Sequence, residues 1–225
     1  MGFNVAIDGP AGAGKSTIAK AVSKELGFIY VDTGAMYRAI ALYLLRKGIK
    51  PEDNKGIEDS CQEAKVSIEY VDNAQVVLLN NENVNDLIRT QEVSNMASVS
   101  STNKKVRAQL LELQRELAKN NDVVMDGRDI GTNILPNAEC KIYLTASSRV
   151  RAQRRFLELK EKGVECDIDT IEKEIIERDE RDMNRETAPL KQAEDAVFLD
   201  TSDMNIDEVK TKILEIVSTK KNTEN

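Results

Sequence analysis

Five short apolar runs, rich in Val and Ile, recur along the chain at residues 3–8, 28–32, 122–126, 141–144 and 196–200. Their length and near-continuous hydrophobicity are those of strands buried on both faces of a parallel sheet. Between them the spacing of apolar positions changes to the helical period over Lys15–Leu26, residues 35–46, a pair across 90–119, a second pair across 149–185, and residues 206–217. Alternation of this kind predicts an α/β fold, a five-stranded parallel sheet flanked by helices.

Two stretches depart from that pattern. The segment KVSIEYVDNAQVVLLNNENV alternates apolar and polar residues around Asp72-Asn73 and again around Asn80-Asn81. Both dipeptides favour turns, so the segment predicts a small antiparallel meander inserted into the core. Residues 148–186 form long helical patterns so charged that little burial is expected of them, as befits a mobile lobe over a site. The tail STKKNTEN is polar and expected to fray.

A chain of 225 residues accommodates one α/β core carrying inserted lobes as well as it does two domains. The formal net charge of −7 argues against a nucleic-acid or anionic-membrane surface, so an anionic ligand would need a local basic pocket. Cys61, Cys140 and Cys166 are odd in number and widely spaced, which indicates neither a zinc site nor a disulfide framework and agrees with a reducing compartment. No basic leader precedes the first strand and no apolar run reaches membrane length, so a cytoplasmic protein is expected. There is no histidine at all. That removes the usual general base, the Ser-His nucleophile couple and imidazole metal ligands together.

After the first strand comes Gly9-Pro10-Ala11-Gly12-Ala13-Gly14-Lys15-Ser16-Thr17, which satisfies G-x-x-x-x-G-K-[ST] with a strand before it and a helix after it. The glycines let backbone N–H groups turn inward as an anion nest, to which the new helix adds its positive end. Lys15 would reach the terminal phosphates, Ser16 would give its hydroxyl to Mg²⁺, and Thr17 would lie beside the α-phosphate. The loop predicts nucleoside triphosphate binding without separating a kinase from a switch or a motor. A GTPase would need Asn-Lys-x-Asp after a strand, which is absent; Asp53 to Gly56 fits D-x-x-G in form but follows a turn.

Four further motifs, YVDTGAMYRA, SNMASVSSTNKKVRAQLLELQR, DVVMDGRDIGTNILP and IIERDERDMNRETAPL, together resemble the bacterial cytidylate kinase family over nearly the whole chain. YVDTGAMYRA, starting at Tyr30, resembles the family's nucleoside monophosphate clamp: Arg38 offers a planar fork for a phosphate dianion and Tyr37 a ring with a hydroxyl, with Thr33 beside them. The local alternative has Asp32 or Thr33 capping a helix and Arg38 solvated. In SNMASVSSTNKKVRAQLLELQR, Ser98 and Arg107 match the positions that read the cytosine ring. DVVMDGRDIGTNILP ends a strand at Asp126, in the manner of a Walker B carboxylate holding the Mg²⁺ shell through water, and then places Arg128 and Asp129 at the sheet's carboxyl edge. The alternative there is a turn stabilised by an internal Arg-Asp pair. In IIERDERDMNRETAPL, Arg178, Arg181, Asp182 and Arg185 fall on one stripe at 100° per residue. Like charges so clustered make sense opposite a polyphosphate, whereas a solvated helix of Glu-Arg pairs is the plainer account.

The resemblance implies a P-loop core over residues 1–34, 86–147 and 187–225, a monophosphate-binding lobe over 35–85 and a lid over 148–186. It assigns Arg128 to the monophosphate, Asp129 to the nucleoside, Arg178 and Asp182 to the ribose, and Arg185 to phosphate, with Arg154 and Arg155 helping ATP. The implied reaction moves the γ-phosphoryl of ATP to CMP, and to dCMP, in pyrimidine nucleotide metabolism. An acceptor that is already an oxyanion needs no general base, and Lys15, Arg38, Arg128, Arg181 and Arg185 would neutralise the phosphoryl oxygens in transit. The alternatives are another small-molecule P-loop kinase acting on UMP, AMP or shikimate, and a non-catalytic ATP-binding module. With no large apolar helix face left uncovered, a monomer is expected.

Overall fold

The structure is a computed structural model that describes residues 2–72 and 74–223. The elements run β1 (Asn4–Asp8), α1 (Lys15–Leu26), β2 (Ile29–Asp32), α2 (Thr33–Arg46), α3 (Asn54–Ser60), β3 (Val66–Val71), β4 (Ala74–Leu79), β5 (Glu82–Asn83), α4 (Gln91–Ser100), α5 (Lys104–Asn120), β6 (Val123–Gly127), β7 (Cys140–Thr145), α6 (Ser148–Glu161), α7 (Ile168–Asn184), β8 (Val197–Asp200) and α8 (Ile206–Thr223). Five strands form one sheet in the order β2-β6-β1-β7-β8, and β3-β4-β5 form a second. The five expected apolar runs are the five strands of the first sheet. In β1 and β6, Val5, Ala6, Ile7, Val123, Val124 and Met125 are wholly buried, which is why those runs carry no polar alternation.

The chain separates into two compact units. One comprises Phe3–Phe28 and Val124 onward. Here β1 and β8 flank β7 in parallel, with Ile7 opposite Ile142 and Ile142 opposite Val197. α1 starts beyond Gly14 and stops at Gly27, both left-handed, and α8 packs on it. α8 continues to Thr223, so the helix does not end at Val217, and the polar STKKNT stretch belongs to its last turns. The α6 and α7 helices also depart from expectation. They bury a seam of Ala152, Ile171 and Ile175 against Phe156, Leu159, Cys166 and Ile168. Their buried stripe continues through Arg151, Asp179 and Asp182, polar residues that a hydrophobic pattern assigns to solvent.

The other unit comprises Gly2 and Ile29–Val123. α2 packs against α4 and α5 and against the meander strand β4. The meander forms as expected, with β3 and β4 antiparallel. Asn80 and Asn81 turn with φ of 50° and 69° and Asp72 with φ of 51°, while Asn73 lies outside the described residues. The short α3 has no counterpart in the sequence reading. Asp53 caps it by accepting from Gly56 N–H at 2.8 Å. With a single buried residue, Ile57, it carries no helical period to detect.

Candidate active site

The unit that holds β1 presents the phosphate loop. Gly9 lies against β7 so closely that a Cβ would stand 1.9 Å from the Leu144 carbonyl oxygen, and Gly14, at φ 83°, turns the chain into α1. Lys15 is buried and its Nζ donates to the Pro10 carbonyl at 2.7 Å. Burial holds its ammonium well below the ordinary lysine range, and the charges of Arg128 and Arg178 push the same way. A cation depressed by desolvation and by other cations is one that a polyanion would stabilise. Ser16 Oγ donates to Asp126 Oδ2 at 2.8 Å, bringing together the hydroxyl and the strand-end carboxylate expected to serve Mg²⁺. Pro10, Ala11 and Ala13 are buried in the loop, Gly12 is exposed, and Thr17 is exposed on the first turn of α1.

β6 delivers Arg128 and Asp129, and each is paired with α7 or its end. Arg128 Nε donates to Asp182 Oδ2 at 2.9 Å, and Arg185 Nη2 donates to Asp129 Oδ1 at 3.0 Å. An internal Arg128-Asp129 turn is therefore not what forms. Burial would raise the Asp182 carboxyl, but Arg128 and Arg178 outweigh it and hold the group below the usual carboxylate range. Arg185 is the residue that caps α7, in extended conformation, and its Nε donates to the Ala188 carbonyl at 2.7 Å. It is thus not on the helical stripe where the 100° spacing puts it; a chain turn after Asn184 buries it instead. Arg181 stays exposed on α7. Arg154 donates to the Thr201 carbonyl at 2.7 Å, and its Nη1 lies 4.0 Å from the position a Gly14 Cβ would take. Arg155 pairs with Glu158 at the exposed surface.

Three residues of this unit escaped the sequence reading. Asp8, at the end of β1, accepts from the Ile130 and Gly131 N–H groups, both at 2.8 Å, and so fixes the wide turn Ile130–Ile134 that follows Arg128 and Asp129. Burial pushes its carboxyl up to about 6. Arg151 donates to the Ala11 carbonyl at 2.9 Å and pairs with Asp179 at 2.6 Å, while Asp179 accepts from the Ala11 N–H at 3.3 Å. Both side chains are nearly inaccessible and tie α6 and α7 to the phosphate loop. Only the position of Asp8 at the end of an otherwise apolar run signals any of this.

In the other unit, Asp32 caps α2 by accepting from Ala35 N–H at 2.8 Å. Its Oδ2 also faces Arg38 Nη2 at 3.4 Å and Arg89 Nη2 at 3.1 Å. Asp32 thus caps the helix as the alternative has it, while Arg38 is paired where that alternative has it solvated. Burial would raise the Asp32 carboxyl, and the two guanidinium groups reverse that and lower it. The Arg107 guanidinium, on α5, lies over the Tyr37 ring at 5.6 Å and donates to the Ser101 carbonyl at 3.4 Å, a cation on an aromatic face. Ser98 on α4 and Thr33 in the first turn of α2 are buried. Packing of α2 against α4 and α5 accompanies the seating of Arg107 over Tyr37.

A family model described as cytidylate kinase matches residues 5–219. The chain is 52% identical over 214 residues to the cytidylate kinase of Caldicellulosiruptor bescii, covering 95% of each chain, and 48% identical over 216 residues to that of Shouchella clausii, covering 96% of each. Among solved structures it resembles an uncharacterized protein from Eubacterium ventriosum, with a TM-score of 0.54 at 12% identity, covering 97% of this chain and 99% of the other. At that identity the likeness concerns the fold.

Proposed function

The chain belongs to the cytidylate kinase family and is an ATP-dependent kinase that phosphorylates CMP, and on that premise we propose how its residues divide the reaction. UMP, AMP and shikimate as principal acceptors, and a non-catalytic module, are not favoured by that family. The donor side is Gly9 to Thr17, with Lys15 on the terminal phosphates and Arg154 toward the rest of ATP. Thr33, Tyr37, Arg38, Ser98 and Arg107 take the acceptor nucleotide. Arg128, Arg181 and Arg185 neutralise phosphoryl oxygens, while Asp129, Arg178 and Asp182 hold the nucleoside. The observation that carries this reading is the pair of bridges Arg128–Asp182 and Arg185–Asp129, which hold Asp129, Asp182 and Arg185 buried and Arg128 half-buried, with the Arg128 charge acting on Lys15.

A hard divalent cation suits the oxygen donors Ser16 and Asp126, which already meet at 2.8 Å. Mg²⁺ bound there supplies charge neutralisation on the phosphates. The remaining steps belong to the chain. Lys15 and the arginines orient the γ-phosphoryl and the acceptor oxyanion in line, and their fixed charges meet the developing charge without reorganisation. No side chain has to remove a proton, because the second ionisation of a phosphate monoester lies at about 6. Closure of a lid over residues 148–186 would exclude water as a competing acceptor. The core over 1–34, 86–147 and 187–225 and the monophosphate lobe over 35–85 complete the arrangement. dCMP belongs with CMP as an acceptor, and the working form is a cytoplasmic monomer with no nucleic-acid partner. No helix among the described residues is long and apolar enough to cross a membrane.

Base reading provides the test. Ser98→Ala combined with Arg107→Met should flatten the preference for CMP over UMP when monophosphates are compared by ADP release with ATP and Mg²⁺. Unchanged selectivity would remove both residues from the ring.

A further inference from the structure

The meander has no part in that division of labour, yet its tip is bound to the strand end that launches the helix carrying Arg38. Tyr70 on β3 stands opposite Gln75 on β4. The Tyr70 hydroxyl donates to the Tyr30 carbonyl at 3.1 Å. Gln75 Oε1 accepts from the Asp32 N–H at 2.8 Å, and Gln75 Nε2 donates to the Asp32 carbonyl at 3.3 Å. β2 is an edge strand, and these backbone groups belong to residues two apart. The cross-strand pair therefore supplies with side chains what a further strand would supply with backbone. Burial pushes the Tyr70 hydroxyl up to about 12, so it stays protonated and a donor across the neutral range.

The Asp32 carboxylate is gripped as well. Arg89, in the short 3-10 turn Leu87–Arg89 just after the insert, shares Oδ2 with Arg38. The insert thus holds the Asp32 backbone from its tip and the Asp32 carboxylate from its exit. At 3.4 Å the contact with Arg38 is long for a charge-assisted bond, so it steers the guanidinium loosely enough for a phosphate dianion to outcompete it.

We propose that the meander is a brace for the acceptor phosphate: Tyr70, Gln75 and Arg89 are positioning residues that fix Asp32, and Asp32 sets where Arg38 presents its guanidinium. This rests on the role given to Arg38 above. Small displacements of a positioning group are costly in catalysis, which gives the brace a kinetic signature distinct from general stability.

The test uses the full chain, with KM for CMP and for ATP, kcat and Tm measured separately. Two variants loosen the brace: the double variant Tyr70→Phe/Gln75→Ala, and Asp32→Asn, whose amide oxygen still caps α2. Each should raise KM for CMP by roughly 10-fold and leave KM for ATP within about twofold, and Tm should fall in Asp32→Asn, which loses a buried carboxylate that two guanidinium groups hold ionised. In an Arg38→Ala background the double variant should add less than about twofold, because residues acting as one unit are not additive. An unchanged KM for CMP in both brace variants, a parallel rise in both KM values, or full multiplication with Arg38→Ala overturns the brace while leaving Arg38 in place. If Arg38→Ala itself leaves KM for CMP unchanged, the role of Arg38 falls, and the brace with it.

Discussion

Among single residues, charge state and burial decide what a substitution does. Lys15 is buried without a carboxylate partner at hydrogen-bond distance among the described residues, and its Nζ is held by the Pro10 carbonyl. Lys15→Ala should abolish turnover while circular dichroism stays that of the wild type, since it removes a desolvated charge and leaves the loop's glycines. Arg185→Ala should lower kcat by roughly 10²–10³, the usual loss for one preorganised donor to a transition-state oxyanion. Wild-type turnover in either variant would defeat the assignment. Asp8 gives a prediction of a different kind. Its folded pKa of about 6 lies above the ordinary 3.8, so between those values the native state binds a proton that the unfolded chain lacks. The stabilising contribution of this proton is complete below the unfolded value and is lost as pH rises through about 6. Over the full window it amounts to about 3 kcal/mol. Denaturant titrations at pH 7 and pH 5 should therefore show wild type gaining stability relative to Asp8→Asn at the lower pH. A pH-independent difference would mean that Asp8 titrates normally.

The helices α6 and α7 are stapled to the phosphate loop by Arg151 and Asp179, both on Ala11 and both almost inaccessible to solvent. Removing one partner strands the other as a buried charge, at a cost of about 3–5 kcal/mol. Arg151→Met and Asp179→Leu should each lower Tm strongly, and the double variant should recover much of the loss, as a double-mutant cycle by thermal unfolding would show. Additive losses would mean that the two do not act as a pair. This staple also shows where sequence was informative. The five strands, the phosphate loop and the meander were legible because each imposes a period or a spacing: Val123 to Met125 are all buried, and glycine is required where Gly9 meets Leu144. The α6–α7 seam was not, because its period is carried partly by Arg151, Asp179 and Asp182, whose burial is offset by pairing between distant positions. The same limit hid the displacement of Arg185 from the α7 stripe, since helical spacing cannot announce that the helix ends at Asn184.

For the molecule as a whole, the absence of histidine in a chain of net charge −7 constrains its pH behaviour. No imidazole can set an acid limb near neutrality, so loss of kcat/KM for CMP below pH 7 has two candidate sources. One is the acceptor, whose phosphate turns from dianion to monoanion at about 6 and becomes a poorer nucleophile. The other is Asp8, whose carboxyl, pushed up to about 6 by burial, must be ionised to accept from Ile130 and Gly131 with both oxygens. These act on different molecules and can be separated. CMP bearing sulfur on its phosphate ionises at lower pH, so with that acceptor the limb should move to lower pH in wild type and equally in Asp8→Asn. If the limb stays in place with the thiophosphate and shifts in Asp8→Asn, the proton belongs to the protein. Because a phosphate oxyanion needs no deprotonation on the enzyme, we expect the limb to follow the substrate.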